Sequence, residues 1–157
     1  MARATFNGLS LEIPDGWSDE STIMLTAPLP DDPNLPTVSQ VSQGLTPNIV
    51  LRREPHDGGD EILEQIAAHQ EDEITALPGG RVADRSTLTM TMGGEEVTAL
   101  CREFVLPSPA MTPAQQLHLY FVKGRHVHIF IGTALVGDDF KRLRQQFVDI
   151  ANSIELR

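Results

Sequence analysis

The stretch 117–131 does most to limit what this chain can fold into. It reads as two strands, LHLYFV and HVHIFI, folded back through Lys123-Gly124-Arg125, with aromatic and β-branched residues dense on both. A three-residue turn with Gly124 at positive φ sets Val122 against His126, and alternation then sorts the side chains. On that register Leu117, Leu119, Phe121, Val127, Ile129 and Ile131 share one face. His118, Tyr120, Val122, His126, His128 and Phe130 share the other, a surface too apolar to be simply wet. The functional question becomes what covers it.

The rest of the chain supplies strands in hairpins and two helices. Residues 5–13 alternate as a first strand, and Pro14-Asp15-Gly16 turns the chain into Trp17, read as a core plug. A second strand covers 21–27, and a third covers 48–53, with Ile49 and Leu51 facing away from Val50. Between them, the five prolines of 28–47 deny ladder donors and mark a long surface loop. Asp60 is placed to cap a helix running to about Leu77, where Pro78-Gly79-Gly80 stops it. Its stripe is Ile62, Leu63, Ile66, Ala67, Ile74 and Leu77, and its acidic residues mostly lie off that stripe. Gly93-Gly94 suits a tight turn, which pairs Leu88 with Ala99 and Met90 with Val97 and gathers Thr87, Thr89, Thr91 and Thr98 on the opposite face. A final helix opens at Gly137-Asp138 and buries Phe140, Leu143, Phe147, Ile150 and Ile154. The economical architecture is an α+β domain: an antiparallel β-sheet built from hairpins, with two α-helices packed on one face and the other face open.

Composition narrows the partners. The 157 residues fit one domain, and a formal net charge of -10 opposes binding to nucleic acid or anionic membranes. Cys101 is the only cysteine, sits in a strand pattern and reads as a small core residue. No apolar run approaches the ~20 residues that span a bilayer, which implies a cytoplasmic protein without direct membrane anchoring. No G-x-S-x-G, H-E-x-x-H or phosphate-binding glycine string occurs, and no nucleophile, base and oxyanion set can be named, so neither enzymatic activity nor a cofactor is expected. The alternative is a small-molecule or metal-binding protein using the histidine-rich face, although His126 and His128 lie along one strand and His118 pairs elsewhere.

The opening L-E-I-P-D-G-W at 11–17, the strand at 48–53, the helix ending in Leu77-Pro78-Gly79, the paired hairpins and the last helix resemble the DcrB-like family over nearly the whole chain. The resemblance implies a single domain, 1–157, of PsbP-like fold. Lacking a lipoprotein signal, the chain is most similar to the Eag chaperones encoded beside type VI secretion effectors. These are homodimers that shield the transmembrane helices of PAAR-containing or Rhs effectors before export. By position, the resemblance implies a client groove containing Met24, Val50, Ile74, Leu77 and His118. Strand parity adds Gln116 and Tyr120.

Overall fold

The computed structural model describes residues 2–6, 9–17, 22–27, 45–56, 61–109 and 111–155. In chain order these form β1 (Ala2–Phe6), β2 (Leu9–Ile13), β3 (Thr22–Thr26), β4 (Asn48–Pro55), α1 (Ile62–Thr75), β5 (Arg81–Met92), β6 (Glu95–Leu106), β7 (Ala114–Lys123), β8 (His126–Leu135) and α2 (Asp138–Asn152). β1 and β2 make a separate two-stranded hairpin, and the other strands form one six-stranded antiparallel sheet in the order β3-β4-β8-β7-β6-β5. The α+β class implied by the sequence therefore holds.

Two glycine turns set the long hairpins. Gly93 and Gly94 take φ of 56° and 83°, a pair of values that closes a two-residue turn matching strand twist. The expected pairs follow: Leu88 with Ala99, Met90 with Val97, and Thr89 with Thr98. At the second turn, Gly124 takes φ 60°, but the loop is the two residues Gly124-Arg125, so Lys123 pairs with His126 and Val122 with Val127. This corrects the three-residue register. A slip of one residue moves every side chain of β8 to the other face. Phe130 joins Leu117, Leu119 and Phe121, while Val127, Ile129 and Ile131 join His118, Tyr120 and Val122.

Both faces of the sheet thus carry apolar residues, and each takes its own helix. α2 buries Phe140, Leu143, Phe147, Val148 and Ala151 against Leu117, Leu119, Phe121, Phe130 and the methionines of β5. α1 covers Tyr120, Val127 and Ile129 with Ala67, supported by Ile62, Leu63 and Ile66. The expectation of two helices on one face is corrected by the same register slip. On the α2 side, a Cβ built at Gly132 would stand 2.5 Å from the Phe147 ring, so only glycine lets that ring rest on the strand backbone.

Ion pairs tie each helix down. Arg144 Nε of α2 donates to Glu103 at 2.9 Å. Glu71 of α1 accepts from Arg85 Nε at 2.8 Å and from Arg102 Nε at 3.1 Å. Cys101 is buried in the α2 core, as its strand position implied. The N-terminal segment differs from expectation: two antiparallel strands, Ala2–Phe6 and Leu9–Ile13, stand where one strand was expected over 5–13. Its following turn forms, with Gly16 at φ 84° and Trp17 N–H donating to Pro14 O at 3.1 Å. Trp17 itself is 75% exposed and plugs no core. Residues 28–44 of the Pro-rich loop, and Asp60 of the expected cap, lie outside the described residues.

Candidate partner-binding face

Cross-strand register places Met24, Val50, Ile131, His118, Arg102 and Arg85 in one row across the six strands, all on the α1 side. α1 packs over β5, β6 and β7, so it covers the arginine end of this row and stops near His118. Beyond it, β8, β4 and β3 present Ile131 and Val50 half-buried and Met24 64% exposed. The rows on either side are polar: Thr26, Asn48 and Thr133 toward one end, Thr22 and Arg52 toward the other. The open strip therefore has an apolar centre line flanked by hydroxyl, amide and guanidinium groups.

At the boundary between covered and open sheet runs a chain of hydrogen bonds along β7. Alternate strand residues face the same way, which brings Gln116, His118 and Tyr120 together. His118 Nε2 lies 2.7 Å from Gln116 Oε1, and His118 Nδ1 lies 2.7 Å from the Tyr120 hydroxyl. A carboxamide oxygen only accepts, so Nε2 carries the proton and Tyr120 donates to Nδ1. Gln116 Nε2 in turn donates to Thr133 Oγ1 at 3.2 Å. Phe104 meets the imidazole edge-on, with ring centroids 4.7 Å apart. Burial, assisted by the charge of Arg52, lowers the His118 pKa to about 3, and burial raises that of Tyr120. Near neutral pH the chain is uncharged.

The expected site residues divide into three groups. Met24, Val50 and Gln116 reach the open strip; His118 and Tyr120 lie on the same face but are buried at its boundary. Ile74 is buried in α1, and Leu77 is exposed just past the end of that helix. Phe130, expected in the same patch, faces α2 instead. Ile131, Thr133 and Arg52 were missed: the slipped register had turned Ile131 away, and a two-residue turn at Gly124-Arg125 was the signal that would have recovered it. The histidine-rich face does not form. His126 and His128 face the α2 side, opposite His118, with His128 stacked on Phe121 at 5.0 Å. Among the described residues no three metal-ligating side chains cluster.

The geometry defines a class of molecule: an α+β sheet whose two faces each carry a helix, one face covered only in part. No protein-family model matches the sequence, and no curated protein is similar to it. A crystal structure of PA94, a protein of unknown function from Pseudomonas aeruginosa, matches 100% of this chain and 97% of its own at a TM-score of 0.71 and 17% identity. The two chains share a fold. LpqN, involved in cell envelope biogenesis of Mycobacterium tuberculosis, covers 89% of this chain and 84% of its own at 16% identity, with a TM-score of 0.36 that is too low to define a common fold. No helix among the described residues is long and apolar enough to cross a membrane.

Proposed function

We propose that this chain is a non-enzymatic chaperone or adaptor that shields the N-terminal transmembrane helices of a type VI secretion effector, of the PAAR-containing or Rhs kind, before export. It acts as a cytoplasmic homodimer, in the manner of the Eag chaperones it resembles. The observation that carries the reading is the strip beside α1, with Met24, Val50 and Ile131 along its centre. Three strands spaced about 4.8 Å apart, with the margin of an edge strand, offer a width close to the roughly 10–12 Å of a helix. β4 and β8 have 8 and 10 residues. At about 3.3 Å per residue they run roughly 26–33 Å, comparable to the ~30 Å apolar span of a membrane helix.

The chemistry of the strip suits such a guest. Transmembrane helices are apolar but carry small polar residues at packing faces, and Gln116, Thr26 and Asn48 offer hydrogen bonds beside the apolar line. Co-expression with the transmembrane region of a secreted effector encoded beside this chain, followed by size-exclusion chromatography with light scattering, tests the reading. A soluble complex with two copies of this chain per client is expected. Elution of this chain alone while the client aggregates would refute it.

A further inference from the structure

The open strip has two unlike ends. Toward the 123–126 turn its rows hold Arg52 beside Thr22 and Ile129, then Glu54 beside Val127. Arg52 Nε is buried and donates no hydrogen bond, with Glu54 Oε1 3.5 Å away. Arg125 stands exposed in the turn itself. At the opposite end the row of Thr26, Asn48 and Thr133 carries no charge. α1 borders the strip and is directional as well. Ile62, Leu63 and Ile66, early in the helix, pack with Tyr120, Val127 and Ile129, whereas Glu71 further on reaches Arg102 and Arg85. Pro78 and Gly79, just past its end, share a cavity wall with Leu106, which pairs with Ala114 at the end of β7 away from Lys123. The helix therefore starts near the 123–126 turn and runs away from it. Its positive dipole end lies on the Arg52 side, and its negative end, with no basic residue in the last turn, lies on the Asn48 side.

A helix laid along the strip brings its own polarity. Its last carbonyls have no partner within the helix and form a negative end, which takes a cationic donor. We propose that the strip accepts an apolar helix in one direction, antiparallel to α1, and that Arg52 sets this direction by donating to the guest's last carbonyls. The inference rests on the client reading and adds an orientation to it. Two separate features favour the same direction. Side by side and antiparallel, α1 and the guest set opposite dipole ends together, and the unpartnered Arg52 Nε gains an acceptor. A reversed guest would turn its free N–H groups toward a guanidinium, which accepts nothing.

Thr22→Cys and Thr26→Cys read the direction, since both positions are exposed on the strip side of β3, in the rows of Arg52 and Asn48; Cys101 is buried and stays silent. The probe is a synthetic helix of about twenty leucine, alanine and serine residues in palindromic order, blocked at both termini, with one cysteine in either its first or its last turn. Backbone direction then distinguishes its ends. Under mild oxidation the last-turn cysteine is expected to link to the Thr22→Cys variant and the first-turn cysteine to the Thr26→Cys variant, each at least about tenfold over the opposite pairing. Equal or reversed yields would overturn the direction and leave the client reading standing. A link between two protein chains in place of the peptide would seat a second copy in the strip and overturn it as well. Adding Arg52→Gln is expected to bring the two pairings toward equal yield, and Arg52→Lys to keep the preference; an undiminished preference with Arg52→Gln would overturn the role of Arg52. With no peptide link at all the direction falls, and co-expression decides the client reading on its own.

Discussion

The two faces of the sheet carry helices of nearly equal length, 14 and 15 residues, that do different work. α2 buries five residues, two of them phenylalanines, in a dry core that also takes in Leu117, Phe121 and Phe130. α1 buries only Ala67 and Ile74 and packs over β5, β6 and β7, leaving the strip on β8, β4 and β3 beside it. The ionic ties are mirror images: α2 offers an arginine to Glu103, and α1 offers Glu71 to two arginines. One face is closed for stability, while the other holds its helix to one side and keeps a strip of strands accessible.

Removing one large buried group from each helix is the strongest test of that asymmetry. Phe147→Ala is expected to cost about 3–5 kcal/mol in denaturant unfolding, and Ile74→Ala about 2 kcal/mol. Equal losses would break the comparison. Acid acts on both faces, because one lowered histidine sits on each: His118 at about 3, from burial and then the charge of Arg52, and His128 at about 4, from burial and then the charges of His126 and Arg53. Below an unfolded pKa near 6.5 the unfolded chain takes up protons that the folded chain refuses. Stability therefore falls as pH drops from about 6.5 toward 4, by up to about 1.4 kcal/mol per pH unit for each histidine. Unfolding midpoints measured from pH 7 to 4 check this, and a flat profile would contradict the burial of both rings.

Smaller effects separate the open strip from its boundary. Tyr120→Phe leaves His118 Nδ1 buried without its donor and is expected to cost about 1–2 kcal/mol, measured by thermal unfolding at pH 7. Met24→Asp and Val50→Asp lie on the open side. Met24→Asp should change stability by no more than about 0.5 kcal/mol, yet abolish co-purification of the client. A folded Met24→Asp protein that still captures its client would move the binding surface away from this strip.

Legibility in the sequence followed local chemistry. Gly93-Gly94 suits one tight turn, so the hairpin could be registered from Asp84–Glu103 to the turn, although a shift between Val82 and Asp84 moves the pairing beyond it. Lys123-Gly124-Arg125 admits two turns, and the hydrophobic pattern did not choose between them because β8 is apolar on both sides: Val127, Ile129 and Ile131 alternate with His128 and Phe130. From that single residue came the wrong face for one helix and a histidine surface that does not exist. Met24 and Val50 pair on one face of the sheet, and strand parity alone could give that without the turn. Trp17 was misplaced because a lone large aromatic favours burial on average, and nothing local marks one that stays exposed.

Gly132 carries a consequence for the far side of the sheet. It lies in β8 between Ile131 and Thr133, which point toward the open strip, while the Phe147 ring presses on its backbone from behind. The strip is therefore backed by a wedge and does not depend on a guest for its shape. On the proposed reading its empty and loaded forms would share one floor, so binding would order the guest without also having to order the host.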